Sequence, residues 1–161
     1  MNMNKSELYS ELLRDVESLI KGVDDNPVGV LANAAALIYE RTGFFWVGFY
    51  MVGDGVLKLG PFQGPAACYR IGFGRGVCGT AWERRSTVVV PDVEEFPGHI
   101  ACSSLSRSEI VVPLFDAAHE VTGVLDIDSR EIATFDDTDR EWLERICGII
   151  SEVLAASPYR A

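Results

Sequence analysis

Short connections constrain this chain more than any other feature. The apolar runs at residues 109–115 and 121–127 are separated only by Asp116-Ala117-Ala118-His119-Glu120. The runs at 46–52 and 56–60 are separated by Gly53-Asp54-Gly55. A parallel return needs a crossover of a dozen or more residues, so each pair must lie antiparallel. Residues 68–71 and 87–90 read as two further strands, the latter ended by Pro91. Helical spacing appears at 6–21, through Leu8, Leu12, Val16, Leu19 and Ile20, with Ser6 as the expected N-cap. Pro27 opens a second helix that runs to about Thr42 and stops at Gly43. A glycine-rich turn at 72–76 leads into a short helix over 77–84. Asp136 begins the last helix, with Trp142, Leu143, Ile146, Ile149, Ile150 and Val153 on its apolar side. Helix, helix, three strands, short helix, three strands, helix predicts an α+β fold. About six antiparallel strands form one sheet, and helices pack against it.

The length, 161 residues, predicts one domain over 1–161 with a substantial core. A net charge of −10 argues against nucleic acid and anionic membranes as partners. The first 21 residues are charged and amphipathic, unlike a secretory signal, and no apolar run reaches the length of a membrane span. The expected compartment is therefore the cytoplasm, where a disulfide that forms is usually transient and catalytic. Four cysteines are too few for a disulfide scaffold, which shifts weight toward working thiols.

Three of these thiols have unusual surroundings: Gly64-Pro65-Ala66-Ala67-Cys68, Gly76-Val77-Cys78-Gly79 and Gly98-His99-Ile100-Ala101-Cys102. None reads as part of an apolar helical stripe, and the neighbouring glycines suggest accessible sulfur. Cys147, among Ile146, Ile149 and Ile150, is by contrast expected to be a buried packing residue. Zinc favours closely spaced ligand pairs. The spacings here are ten and twenty-four, so a Cys₃His site through His99 is the weaker reading and no metal is expected. Redox chemistry needs a nucleophilic thiolate and a second thiol within reach. Cys102 is the better nucleophile, in a long polar loop over 92–107 and just ahead of Ser103-Ser104, where a helical turn would present N–H groups. Either Cys68 or Cys78 would resolve it if the loop folds over the sheet. His99 is expected to position that loop.

Asp126 and Asp128 flank Ile127 at the end of an apolar strand and therefore share one face. Glu109 opens the preceding strand and can join them. Three acids around a pocket can keep a proton near neutral pH and also hold a substrate ammonium; a solvated sheet edge is the plainer alternative. Trp46 and Tyr50, four apart in one strand, are either core or the wall of a small pocket.

Taken together, Gly60-Pro61-Phe62-Gln63-Gly64, Gly74-Arg75-Gly76-Val77-Cys78-Gly79, Asp92-Val93, Gly98-His99-Ile100-Ala101-Cys102, Ser108-Glu109-Ile110-Val111 and Gly123-Val124-Leu125-Asp126-Ile127-Asp128-Ser129 resemble the free methionine-(R)-sulfoxide reductases. These are stand-alone GAF domains, and the resemblance spans about residues 6–155. It implies a six-stranded antiparallel sheet and a pocket closed by the loop over 92–107. It further implies that Cys102 attacks the sulfoxide sulfur, Cys68 resolves it, and Cys78 assists or exchanges. Glu109, Asp126 and Asp128 would bind and polarise the substrate, and Trp46 and Tyr50 would surround its methyl group. Ser103 departs from the Asp that the family often carries after the nucleophile. The implied chemistry uses no organic cofactor, and its implied partner is a thioredoxin-like dithiol. A homodimer is compatible with the resemblance. The competing class is a GAF sensor that binds a ligand without consuming dithiol.

Overall fold

A computed structural model describes residues 2–161. The chain begins with two helices, α1 (Lys5–Ile20) and α2 (Pro27–Thr42). Strands β1 (Trp46–Gly53), β2 (Val56–Gln63) and β3 (Arg70–Gly72) follow, then α3 (Gly76–Arg84) and β4 (Val88–Val90). After a loop with one 3₁₀ turn, Val93–Glu95, come β5 (Ser108–Phe115), β6 (Val121–Ser129) and α4 (Asp137–Ala156). The six strands form one sheet in the order β3-β2-β1-β6-β5-β4, and every pairing is antiparallel. This is the α+β architecture that the short connections require. Among the described residues no helix is long and apolar enough to cross a membrane.

Local chemistry sets the ends of the helices. Asn4, rather than the expected Ser6, caps α1: its side chain accepts the Glu7 N–H at 2.8 Å, and the Glu7 carboxylate returns to the Asn4 N–H. This reciprocal box satisfies two orphan donors, which Ser6 one turn further in could not do. Asn26 caps α2 with Pro27 at its first position, and Gly43 closes it at φ 72°, a left-handed conformation that suits glycine. Asp136 caps α4 as the sequence predicts.

Strand alternation divides the sheet into two faces. Val47, Phe49 and Met51 of β1, Ile110, Val112 and Leu114 of β5, and Leu125 and Ile127 of β6 join the core formed with α1, α2 and α4. Cys147 is buried in this core, as expected. The intervening positions, Trp46 and Tyr50 of β1, Val111 of β5 and Val124 of β6, face the other side. There they pack with α3 and β4. The three long helices thus hold up the sheet from behind and leave its opposite face for the site.

Asp139, in the first turn of α4, ties the helix layer together. It is fully buried and accepts Tyr9 Oη at 2.6 Å and Lys5 Nζ at 2.5 Å, both from α1. Asp139 also accepts the Asp136 N–H at 2.8 Å, so Tyr9→Phe removes one of three hydrogen bonds to a buried carboxylate. Such a bond contributes about 1.5–3 kcal/mol. For a chain of this size that lowers Tm by roughly 3–12 °C. Thermal unfolding checks this, and turnover should be unchanged because Tyr9 lies behind the sheet.

Candidate active site

The site is built on three adjacent strands. In the register of the sheet, Glu109 of β5 pairs with Asp128 of β6, and Asp128 pairs with Trp46 of β1. One step along, Val111 pairs with Asp126, and Asp126 with Gly48. Glu109, Asp126, Asp128 and Trp46 therefore occupy one face, as alternation predicts. Gly48 leaves space there: a Cβ at this position would come within 2.7 Å of the Trp46 ring. The absent side chain lets the indole lie across β1, stacked on Phe62 at 5.2 Å and on Tyr50 at 6.0 Å between ring centroids.

All three carboxylates are buried, so the solvated sheet edge does not describe them. Burial, followed by the charge of Asp126, holds the proton of Glu109 and of Asp128 well above the usual carboxylate range. Asp126 is also raised by burial, but hydrogen bonds from Glu109, Cys78 and Asp128 pull it down. Asp126 Oδ1 has no partner if every neighbouring acid is ionised. A proton held by Glu109 or Asp128 would supply one. Ser106 lines the pocket with Asp128 and works against burial, lowering the pKa of that acid.

Two glycine-flanked segments and α3 surround this floor. Trp46 Nε1 donates to the Pro65 carbonyl at 3.0 Å, and Tyr50 Oη donates to the Cys68 carbonyl at 2.9 Å. The polar ends of both aromatics are thus used to hold the segment that carries Cys68. The segment also departs from the expectation of a strand from residue 68. Tyr69 still accepts the Leu59 N–H, but β3 proper begins at Arg70, because the Cys68 carbonyl turns to Tyr50 instead of the ladder.

The loop over 92–107 folds across the top. Its stem is clamped by Val93 N–H to the Arg107 carbonyl at 2.9 Å and Arg107 N–H to the Ser129 carbonyl at 2.7 Å. Cys102 in this loop forms a disulfide with Cys68, with Cα atoms 5.5 Å apart. The expected helical turn after Cys102 is absent; instead Ser103 Oγ accepts the Leu105 N–H, closing a tight side-chain turn. His99 Nε2 lies 3.8 Å from Glu109 Oε1, and burial holds its pKa below the usual imidazole value, opposed by the charge of Asp126. It thereby links the loop to the acids.

Cys78 corrects the expectation of an accessible thiol outside any apolar stripe. It lies in the first turn of α3, 3% exposed, with Val77, Ala81 and Ile71 in the apolar cluster. Glycine beside it serves close packing instead: a Cβ on Gly79 would lie 3.2 Å from the Gly74 backbone nitrogen. Burial and then the neighbouring acids push the Cys78 thiol well up, so it stays protonated. The Cys₃His metal set does not assemble, because two of its sulfurs are joined in the disulfide. Cys78, Glu109 and Asp126 do bring donor atoms within 4.8 Å of one another.

The resulting pocket is a cavity of about 50 Å³. Glu109, Asp126, Asp128 and Cys78 line it with Trp46, Tyr50, His99 and Cys102. Ser106, Phe45 and the segment 65–67 also line it, and sequence reasoning missed them. Only the aromatic run at 44–46 gave any signal for Phe45; Ser106 sits in irregular chain with no periodicity to mark it. Chemically, the arrangement offers three buried acids, two of which hold their protons well above the usual range, an aromatic wall, and a thiol pair that can cycle with its disulfide.

Residues 24–155 match the GAF domain family. The free methionine-R-sulfoxide reductase of Escherichia coli (strain K12) is 46% identical over 159 residues, covering 98% of this chain and 95% of that protein. The enzyme of the same name from Saccharomyces cerevisiae is 42% identical over 159 residues, covering 94% and 88%. Among solved structures, the free methionine-R-sulfoxide reductase from Neisseria meningitidis, in complex with its substrate, superposes with a TM-score of 0.94. It shares 52% identity, covering 98% of this chain and 94% of that one.

The acid cluster carries a stability signature. Glu109 binds its proton more tightly when folded than when unfolded. Its contribution to stability is therefore retained at low pH. It is lost as the pH rises above the ordinary value of 4.5 and the unfolded state becomes the better-ionised one. Gln at this position has no such loss. The Tm of Glu109→Gln relative to the parent should be higher at pH 8 than at pH 5, as read by thermal melts. A gap that does not change across this window would show that Glu109 holds no proton there.

Proposed function

The chain belongs to the free methionine-R-sulfoxide reductases, and we propose that it reduces free L-methionine (R)-sulfoxide to methionine by a thiol mechanism carried within one unit, residues 1–161. The observation that supports this most directly is the Cys68–Cys102 disulfide roofing a pocket whose floor is Glu109, Asp126 and Asp128. A sulfoxide is a poor electrophile until its oxygen is protonated. Glu109 and Asp128, kept neutral by burial, are the proton donors, a contribution of about 10²–10⁴-fold. Asp126 remains ionised and takes the substrate ammonium. Trp46 and Tyr50 supply an apolar wall for the methyl group.

The Cys102 thiolate attacks the sulfoxide sulfur while the acids protonate its oxygen. In the resulting adduct the protonated oxygen passes from the substrate sulfur to the Cys102 sulfur as the bond between the two sulfurs breaks, so methionine leaves and Cys102 becomes a sulfenic acid. The Cys68 thiol then attacks the Cys102 sulfur, water departs, and the disulfide forms. The disulfide-bonded structure corresponds to the state after that step. That pairing supports Cys68 as the resolving thiol. Cys78, buried and protonated, takes the assisting role in this reading, as a hydrogen-bond donor to Asp126. A thioredoxin-like dithiol returns the enzyme to its reduced form, which fits a cytoplasmic setting. The whole site lies within one chain, so the chemistry needs no second copy. A GAF sensor would bind ligand without consuming dithiol, and the reductant-dependent assay separates the two.

Cys102→Ser should abolish even single-turnover release of methionine, because a hydroxyl is a far weaker nucleophile than a thiolate. Cys68→Ser should release about one methionine per chain and then stall with thioredoxin as reductant. Steady-state rates in Cys68→Ser equal to those of the parent would return the resolving role to Cys78.

Peptide-bound methionine sulfoxide has no free ammonium, so it would leave Asp126 buried and unpaired, a cost of several kcal/mol. The kcat/KM for the free amino acid should exceed that for a peptide by more than ~10²-fold. Comparable values, measured side by side, would indicate an open groove.

A further inference from the structure

The Cys68–Cys102 disulfide has two unlike sides. Cys102 lines the pocket, whereas Cys68 is not among the lining residues and is followed by Tyr69, whose side of the chain is open to solvent. Tyr69 and Phe73 bracket the short strand β3. Both lie just outside the strand, so strand alternation does not turn them inward with Ile71. Ile71 between them is buried, yet Tyr69 is 80% and Phe73 54% exposed. Phe73 is held in place edge-on against Trp82, with ring centroids 4.9 Å apart. Ile100 and Leu105, also exposed, come from the loop that carries Cys102. Exposed apolar side chains are thus found in both segments that the disulfide joins. Phe73 leans on Trp82 and Ile100 helps to line the pocket, whereas Tyr69, next to Cys68, leaves most of its ring in solvent.

Two further observations indicate what covers them. β3 is the outermost strand and pairs only with β2, so its other edge can take a partner's backbone. The segment 69–75 carries Arg70 and Arg75, both exposed, in a chain whose net charge is −10. The acids facing it are Asp54, already paired with Lys58, and Glu83, lying against Gly74. The patch is thus an apolar centre with a basic rim, at a disulfide that must be reduced.

We propose that Tyr69, Phe73 and the free edge of β3 form the docking surface for the protein dithiol that recycles the enzyme, and that this dithiol attacks Cys68 rather than Cys102. The proposal rests on the thiol mechanism above. The partner is a C-x-x-C protein with an apolar surface around its reactive sulfur and acidic groups at the rim. Its thiolate bonds to Cys68 Sγ; the Cys68–Cys102 bond breaks and its electron pair leaves on Cys102. The nucleophilic thiolate is thereby released directly into the pocket. The partner's second thiolate then attacks its own bonded sulfur and expels the Cys68 thiolate, which takes up a proton. The partner ends as a disulfide, and the two electrons reside on Cys68 and Cys102.

The test follows reduction of the preformed disulfide in the full chain, with no sulfoxide present, by thioredoxin and by dithiothreitol in parallel. In Tyr69→Ser/Phe73→Ser the second-order rate constant with thioredoxin should fall tenfold or more. The rate with dithiothreitol should stay within twofold, because a small dithiol needs no docking surface. Tyr69→Ser alone, at the more exposed position, guards against a folding defect at Phe73 and should fall by at least threefold with thioredoxin only. Thioredoxin with its second active-site cysteine changed to Ser should be trapped on Cys68, as mapped by peptide mass spectrometry. Parallel losses with both reductants, no loss with either, or trapping on Cys102 would overturn the proposal. Single-turnover methionine release tests the function separately, since it uses no external reductant.

Discussion

The antiparallel ladder between β1 and β6 is the contact on which the site depends. It joins a strand from the first third of the chain to one from the last third, pairing Trp46 with Asp128 and Gly48 with Asp126. A slip of one residue would turn every side chain of β6 to the other face. Asp126 and Asp128 would then enter the core under the three helices, and Leu125 and Ile127 would face the pocket. Burying two carboxylates in the helix-backed core without partners costs far more than the pocket arrangement, where each acid meets another acid, a thiol or a hydroxyl. The apolar residues behind the sheet therefore secure the polar residues in front of it.

That polar face is still unfavourable for folding. Three buried carboxylates keep company with a protonated thiol, and burial raises the pKa of each acid. Part of the stability supplied by the core behind the sheet is spent holding these protons. The same desolvation makes the acids useful, because a carboxyl that is neutral near physiological pH can donate a proton to a substrate oxygen. On the helix side the opposite solution appears. Asp139 is equally buried, but Lys5, Tyr9 and the Asp136 N–H satisfy it, and it joins α1 to α4 and closes the cap of α4.

The cysteines show how position assigns work to one residue type. Cys147 packs inside the helix layer. Cys78 begins a helix that faces the acids, and its thiol stays neutral there. Cys68 and Cys102 sit on irregular chain at the rim, where the loop over 92–107 can bring them together. Tyr50 and Trp46 add to this by anchoring the Cys68 segment through its carbonyls. The aromatics are thus both pocket wall and scaffold for the disulfide.

Strand alternation, short connections and helix caps were legible in the sequence because they depend on residues close together in the chain. From them follow the antiparallel sheet, the shared face of Asp126 and Asp128, the boundaries of α2 and the buried Cys147. The motifs around Cys68, Cys78 and Cys102 pointed to a thiol site as well. Cap choice at Asn4 over Ser6 was not evident, because it turns on a reciprocal bond that spacing does not reveal. What only the tertiary structure decided is where distant segments meet. The burial of Cys78, the loss of the expected helical turn after Cys102, the role of Ser106 and the choice of Cys68 as partner all depend on how two loops fold over the sheet. Irregular chain has no periodicity, so its contacts are set by packing against strands that lie far away in sequence.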